Sequence, residues 1–249
     1  MTSPLASWPY PAHIAHRGGG KLAPENTLAA MRAGKQHGYR MFEFDVKLSR
    51  DGVAVLLHDD DLDRTTDGHG PAGDKTYAEL AQLDAGSWHS PDYAGEPVPT
   101  FAAAARYAIA NGIACNVEIK PCPGRDAQTG EAVARLTQAL WAGMHRQPLL
   151  SSFSEEALAA AQATAPELPR ALLVEAVSDD WLARLRKYDC VGLNINQRDA
   201  SPELIGAVHE AGYRIAAWTV NDPDRARLLF SWGMDALFTD QLALIAPTA

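Results

Sequence analysis

Short apolar runs alternate along the chain with longer stretches of helical periodicity. Residues 12–16, 41–48, 53–57, 114–119, 149–153, 171–174, 190–195, 214–220 and 236–238 read as strands. Helices are predicted over 27–38, opened by Pro24-Glu25-Asn26, and over 100–111, 128–144, 155–164, 179–187, 202–211 and 223–232. The runs 41–48 and 53–57 flank the turn Ser49-Arg50-Asp51-Gly52 and count as one hairpin unit. Eight strand units result, each but the last clearly followed by a helix. Such alternation requires parallel pairing with right-handed crossovers. Eight units in 249 residues predict an α/β fold, the (β/α)8 TIM barrel, as a single domain over 1–249. The polar, glycine-rich stretch from about 59 to 99 reads as a small insertion after strand 2. An open doubly wound sheet is the competitor, but no GxGxxG follows the first strand.

Inward and outward residues alternate along a barrel strand, and chemistry gathers at the strands' carboxyl ends. In the second strand Phe42, Phe44 and Val46 share one face, and Glu43, Asp45 and Lys47 share the other. The third strand repeats the pattern, with Val117 and Ile119 outward and Asn116, Glu118 and Lys120 inward. Three carboxylates and two lysines are thus expected in one barrel mouth. A self-satisfied salt-bridge cluster is the plain alternative. Burying like charges side by side costs several kcal/mol per ion without compensation. Glu43, Asp45 and Glu118 offer the oxygen ligands that Mg²⁺ or Ca²⁺ prefers. Zinc fits less well, because no Cys or His shares their face at ligand spacing.

Two histidines end strands bordering this cluster, His16 before Arg17-Gly18-Gly19-Gly20 and His58 after Val53–Leu57. A lone strand-end histidine is commonly a structural hydrogen-bonder; two beside a carboxylate cluster suggest an acid–base pair. Arg17 offers a planar fork for a phosphate, with glycines that let backbone approach. Phe153, Asn196, Trp218 and Asp240 occupy other strand ends, and Trp218 reads as either core or substrate wall. His13, His37, His69, His89, His145 and His209 fall in loops or helices and receive no role. An EF-hand reading of the 59–74 acidic run fails, since the twelfth position from Asp63 is Asp74.

Composition acts mainly by exclusion. The chain is 47% hydrophobic and 21% charged, within the ordinary globular range. A net charge of −9 with no Lys/Arg run disfavours nucleic acid and anionic membranes as partners. A phosphate-bearing ligand would therefore need a local cation or a bound metal. Cys115, Cys122 and Cys190 are odd in number and form no CxxC, which points to reduced thiols. The start, Met1 to Pro11, lacks a basic n-region and an apolar h-region, so no signal peptide is expected. No run reaches the roughly 18 apolar residues of a membrane span. A soluble, cytoplasmic protein without membrane insertion is the expectation, with no signal of oligomeric state.

The ordered set His16-Arg17-Gly18, Pro24–Thr27, Phe42–Val46, Ser49–Gly52, Leu56–Asp59 and Leu62–Gly68 resembles the glycerophosphodiester phosphodiesterases. Asn116–Lys120, Ser152-Phe153, Trp218–Asn221 and Phe238–Asp240 continue the resemblance over nearly the whole chain. It implies a barrel with an insertion at about 59–99. It also implies hydrolysis of glycerophosphocholine, glycerophosphoethanolamine and similar small molecules to sn-glycerol 3-phosphate and an alcohol. By the motif, His16 and His58 match the catalytic histidines, and Glu43, Asp45 and Glu118 match the ligands of one divalent cation. Arg17 and Lys120 match phosphate-binding positions, and Trp218 the aromatic lining the glycerol side. Phe153 is taken as a further substrate-binding residue. Which histidine is the acid, and whether water or the substrate's 2-hydroxyl attacks, stay open. The rivals are a lipid-cleaving relative, a Schiff-base aldolase using Lys120, and a barrel that only binds. Of an apolar rim for lipid, only Trp88 and Tyr93 are visible.

Overall fold

The computed structural model describes residues 8–247. The start of the chain, expected above not to be a leader, lies largely outside these residues. Eight parallel strands close into a barrel: β1 (His13–Ala15), β2 (Met41–Leu48), β4 (Ala114–Ile119), β5 (Leu149–Ser152), β6 (Arg170–Val174), β7 (Gly192–Asn196), β8 (Arg214–Trp218) and β9 (Ala236–Thr239). β1 pairs with both β2 and β9, which closes the ring. The ninth strand, β3 (Ala54–Leu56), pairs antiparallel with the top of β2 through Val46–Leu56, Lys47–Val55 and Leu48–Ala54. Gly52, at φ 82°, makes the turn between them. Because β1 is only three residues long, β2 outreaches it and has an edge for β3 to pair with.

The helices α1 (Leu28–Gln36), α3 (Phe101–Ala110), α4 (Asp126–Leu140), α5 (Glu155–Thr164), α6 (Trp181–Lys187), α7 (Pro202–Glu210) and α8 (Pro223–Ser231) follow the barrel strands. Side-chain caps open several of them, as Thr27, Thr100, Ser154 and Ser201 each accept from the amide three residues on. Phe42, Phe44, Val46, Val117 and Ile119 face outward into this layer, as the alternation predicted. Inside, the lower barrel is apolar, with Ile14, Met41, Ala114, Leu149, Ala171, Ala216 and Ala236 in one cluster. One pleat higher the inward positions turn polar. The switch from oil to charge along the same strands places the chemistry at their carboxyl ends.

Between β3 and α3 the chain forms short turns and one helix, α2 (Tyr77–Leu80), started by a Thr76/Glu79 capping box. Leu57, Leu62, Ala72, Leu80, Ala85 and Val98 give this segment a small core of its own, built onto Val55. Element ends differ modestly from expectation. The helix predicted over 128–144 stops at Leu140, because Trp141 is buried against Phe101 and Gly143 takes φ 76°. The strand predicted over 214–220 ends at Trp218, and His13 opens β1 against Phe230 rather than lying in a loop or helix.

Arg170, at the amino end of β6, is completely buried. Its guanidinium donates to the carbonyls of Leu168 (2.7 Å), Tyr188 (3.1 Å), Ala165 (3.3 Å) and Asp189 (3.3 Å). It thereby ties together the loops below β6 and β7, where no water replaces a missing donor. Arg170→Met should cost about 3 kcal/mol or more in urea unfolding, because several buried carbonyls lose their donor at once. Arg170→Lys should recover little, since one ammonium cannot span the fork's targets. A loss under about 1 kcal/mol for Arg170→Met, the net value of one ordinary hydrogen bond, would show that the clamp is dispensable.

Candidate active site

The mouth of the barrel holds a cavity of about 220 Å³ bordered by His16, Arg17, Glu43, Asp45, His58, Asn116, Glu118, Lys120, Phe153 and Trp218. Every residue given a catalytic, substrate-binding or metal-ligating role from the sequence is among them. Lys47 is not. It shares the inward face of β2 but lies higher, 1% exposed, and donates to Asp60 (2.8 Å) and the Lys120 carbonyl (3.4 Å). The insertion's carboxylate captures it, so the mouth has one lysine from these strands instead of two.

Strand register explains the carboxylates. Glu43 pairs with Asn116 and Asp45 with Glu118 across parallel strands, so two like charges sit directly opposite. Glu43, Asp45 and Glu118 are buried, with one ligand oxygen from each within 4.8 Å of the others. Burial, then Asp45 and Glu118, pushes Glu43 well above the usual carboxylate range. Burial, then Asp45, pushes Glu118 up to about 7. Burial would raise Asp45 too, but Arg17, His58, Lys120 and the Asn26 amide outweigh it and hold it low. Asn26 grips Asp45 twice, donating from Nδ2 to Oδ2 (2.9 Å) and accepting the Asp45 amide (3.0 Å). Glu43 Oε1 has no hydrogen-bond partner, nor has Asn116 Oδ1 beside it. Orphaned buried oxygens and repelling carboxylates are the donor set that a hard divalent cation would satisfy.

Arg17 stands at φ 51°, the left-handed region that non-glycine residues rarely adopt. That conformation turns its amide onto Glu43 Oε2 (2.8 Å) and its side chain over the cavity. Nη1 donates to Glu25 (2.5 Å), while Nε, 3.8 Å from Asp45, stays buried without a hydrogen-bond partner. The neighbouring glycines answer to packing: a Cβ on Gly20 would meet the Asp240 backbone at 2.3 Å, and one on Gly19 the Ala30 carbonyl oxygen at 2.7 Å.

Each histidine is oriented by its own carboxylate. His16 Nδ1 bonds to Asp240 Oδ1 (2.7 Å) and Nε2 lies 3.8 Å from Glu43. His58 Nδ1 bonds to Asp59 Oδ1 (2.6 Å), and Lys120 Nζ donates to its Nε2 (3.1 Å). A carboxylate at Nδ1 keeps the proton there and turns Nε2 toward the cavity. Burial lowers the His58 pKa, against the pull of Asp45. Lys120 also donates to Glu118 (3.2 Å) and lies 5.4 Å from the Phe153 ring centre. Phe153 and Trp218 meet edge to face at 5.5 Å and wall one side of the cavity.

Residues 16–244 match the glycerophosphoryl diester phosphodiesterase family. The chain belongs to that family. It is a phosphoric diester hydrolase, a glycerophosphodiester phosphodiesterase. A glycerophosphodiester phosphodiesterase of Caldanaerobacter subterraneus subsp. tengcongensis is 31% identical over 91% of this chain and 93% of its own. A similar enzyme of Bacillus subtilis is 29% identical over 91% of this chain and 82% of its own. A phosphodiesterase of Oleispira antarctica, solved with its product sn-glycerol 3-phosphate, superposes with TM-score 0.89 at 40% identity, covering 95% of each chain.

Several residues of this phosphodiesterase site escaped sequence reasoning. Glu175 continues the inward alternation of β6 by one step, a legible signal that was not taken up, and Asp240, noted from the sequence only as a strand-end and motif residue, proves to be the carboxylate that orients His16. Glu25, Asn26, Asp59 and Arg64 reach the site from loops, where no periodicity points to them.

Glu118→Gln tests whether the carboxylates repel. Glu118 holds its proton in the folded state up to about 7, against 4.5 when exposed, so the metal-free wild type loses stability as pH rises through that window. Glu118→Gln should escape this loss, so its stability relative to wild type grows between those pH values in EDTA. Thermal melts should also show Mg²⁺ or Ca²⁺ raising the wild-type midpoint far more than the variant's. A variant less stable than wild type throughout would mean that the cluster is held together by its own ion pairs.

Proposed function

We propose that the enzyme hydrolyses glycerophosphodiesters such as glycerophosphocholine and glycerophosphoethanolamine to sn-glycerol 3-phosphate and an alcohol. His16 and His58 are the proton-transferring pair, and Glu43, Asp45 and Glu118 hold one divalent cation, Mg²⁺ or Ca²⁺. One observation carries this reading: two histidines, each backed by a carboxylate, present Nε2 to one cavity that also holds three buried carboxylates crowded within ligand reach of one another, with Glu43 Oε1 left unpartnered. The product bound to the Oleispira antarctica relative supports the choice of substrate.

A phosphodiester is an anion that repels nucleophiles, so its charge must be neutralised before attack. When bound, the cation supplies charge and Lewis acidity beside the phosphoryl oxygens. The Arg17 guanidinium and Lys120 Nζ, both lining the cavity, bind the non-bridging oxygens as charge builds there. One histidine removes the proton of the attacking hydroxyl and the other protonates the departing alcohol. Phe153 and Trp218 wall the glycerol, and Glu175 accepts from its hydroxyls. On the other side of His16 and Arg17 a second cleft, about 530 Å³, opens between the loop after β1 and Trp88. The departing alcohol lies there. The whole chain works as one catalytic domain, with residues 59–99 as an insertion subdomain that carries the wall of this cleft. A cytoplasmic setting suits its three free cysteines, all buried.

The rivals fare worse against the geometry. A Schiff-base lysine needs a lowered pKa. Burial would lower that of Lys120, but Glu118 and Asp45 overcome it and raise the value. Lipid cleavage needs an apolar rim, and of the large exposed apolar residues among those described only Trp88 lines the second cleft, while Met144, Leu228 and Leu244 border neither it nor the cavity.

EDTA should abolish activity, and Mg²⁺ or Ca²⁺ should restore it; full turnover by protein shown metal-free by elemental analysis excludes the cation role. His16→Ala and His58→Ala should each lose on the order of 10²–10⁴ in kcat with little change in substrate affinity. A nitrophenyl diester, whose leaving group needs no proton, should rescue only the variant lacking the acid. Equal rescue, or a loss under about tenfold in either, would make that histidine a structural hydrogen-bonder. Head groups should be tolerated to within about a hundredfold, since Arg17, Lys120 and the carboxylates address the shared glycerophosphate and no aromatic cage surrounds the second cleft.

A further inference from the structure

We propose that Arg64 is a positioning residue that locks Arg17 and His58 into one arrangement by gripping Glu25 and Asp59 together. The inference rests on the roles given above to Arg17 and His58. One edge of the Arg64 guanidinium donates from Nη1 and Nη2 to the two oxygens of Glu25, both at 2.8 Å. The other edge donates from Nε and Nη2 to Asp59 Oδ2 (2.5 Å) and Oδ1 (3.0 Å). Each carboxylate has a second task. Glu25 Oε1 also receives Arg17 Nη1, and Asp59 Oδ1 also receives His58 Nδ1. An unbroken chain of charge-assisted bonds thus runs Arg17, Glu25, Arg64, Asp59, His58. Its ends come from the loop after β1 and from the segment that follows β3, two parts of the chain that approach the cavity separately.

Stability does not account for this arrangement. The Arg64 side chain is 45% exposed, and exposed ion pairs contribute only about 0–1 kcal/mol. Direction does. A guanidinium is a rigid plane with donors on two edges, so two bidentate carboxylates are fixed relative to each other as well as to it. Among the described residues the Asp59 carboxylate bonds only His58 and Arg64, and that of Glu25 only Arg17 and Arg64. Without Arg64 each would be held by its functional partner alone and free to turn toward water. Arg64 is itself anchored. Leu62 is buried, and Thr66 returns its amide and hydroxyl to the Leu62 carbonyl (3.1 and 2.8 Å), forming a turn that projects Arg64. The stretch Leu62-Asp63-Arg64-Thr65-Thr66 belongs to the resemblance noted in the sequence, and this geometry gives its arginine a task.

The test uses the metal-loaded enzyme with glycerophosphocholine, and Arg64→Met, Arg64→Lys and Arg64→Ala beside Arg17→Ala and His58→Ala. Arg64→Met should lose about 10–100-fold in kcat/KM, the scale of a misplacement near 1 Å, with kcat lower and KM higher together. Its melting midpoint should stay near that of wild type. Arg64→Lys keeps the charge without the fork and should fold while losing activity comparably. Free guanidinium at low millimolar concentration should restore part of the activity of Arg64→Ala and none of that of His58→Ala. Independently of turnover, the ¹⁵N-resolved Nδ1–H signal of His58 should be slow to exchange in wild type and lost in Arg64→Met. Wild-type activity in Arg64→Lys, or an unchanged His58 signal in Arg64→Met, overturns the proposal. So does an activity loss that only follows the unfolded fraction and ignores guanidinium. If Arg17→Ala and His58→Ala also keep full activity, the site reading has failed; if they lose it and the Arg64 variants do not, only this inference has.

Discussion

Asp45 and Glu118 face each other across two parallel strands, with Glu43 one pleat below, and the rest of the site is arranged around that repulsion. A domain holds only about 5–15 kcal/mol of net stability. Three ionised carboxylates in a dry barrel would consume much of it. The surroundings therefore supply donors: the Arg17 amide and guanidinium, the Asn26 amide and the Lys120 ammonium. Even the left-handed backbone of Arg17 belongs to this compensation, since it delivers the amide to Glu43. What the protein does not neutralise is left for ligands of positive charge.

The fold and the centre of the site were legible because period-two alternation marks both. On β2 the sequence separates Phe42, Phe44 and Val46 from Glu43 and Asp45, and the same alternation sends one set to the helices and the other to the mouth. Length decided against Lys47. Alternation tells face but not height, and two more residues along the strand lift it out of the cavity to Asp60. The orienting residues were harder for a different reason. Asp59, Glu25 and Arg64 lie in loops whose course depends on tertiary contacts, so their proximity has no trace in local pattern. Arg170 was hidden for the same reason. Its partners are loop carbonyls, which carry no side-chain signature.

The two histidines rest on unlike supports. His16 follows a barrel strand and is bound by a barrel loop. His58 follows the antiparallel β3, outside the ring of parallel strands, and is bound from the 59–99 segment. The proposed acid and base are thus carried by different parts of the architecture: the barrel alone supports His16, whereas His58 takes its Nδ1 partner from the insertion and meets the barrel through Lys120. That insertion has a small core of its own, built on Leu57, Leu62, Ala72, Leu80, Ala85 and Val98.

His16 and Asp240 stand 224 positions apart, at the ends of the first and last barrel strands. β1 meets β9 only when the ring closes, and the Lys21 amide then also reaches the Asp240 carbonyl at 3.0 Å. During synthesis, therefore, His16 emerges 224 residues before its orienting carboxylate exists. Partial chains can collapse around the strands already made, yet none can hold that imidazole in place. The proposed proton transfer at His16 therefore waits on the pairing of β1 with β9, and a chain cut short before β9 lacks the carboxylate that orients it.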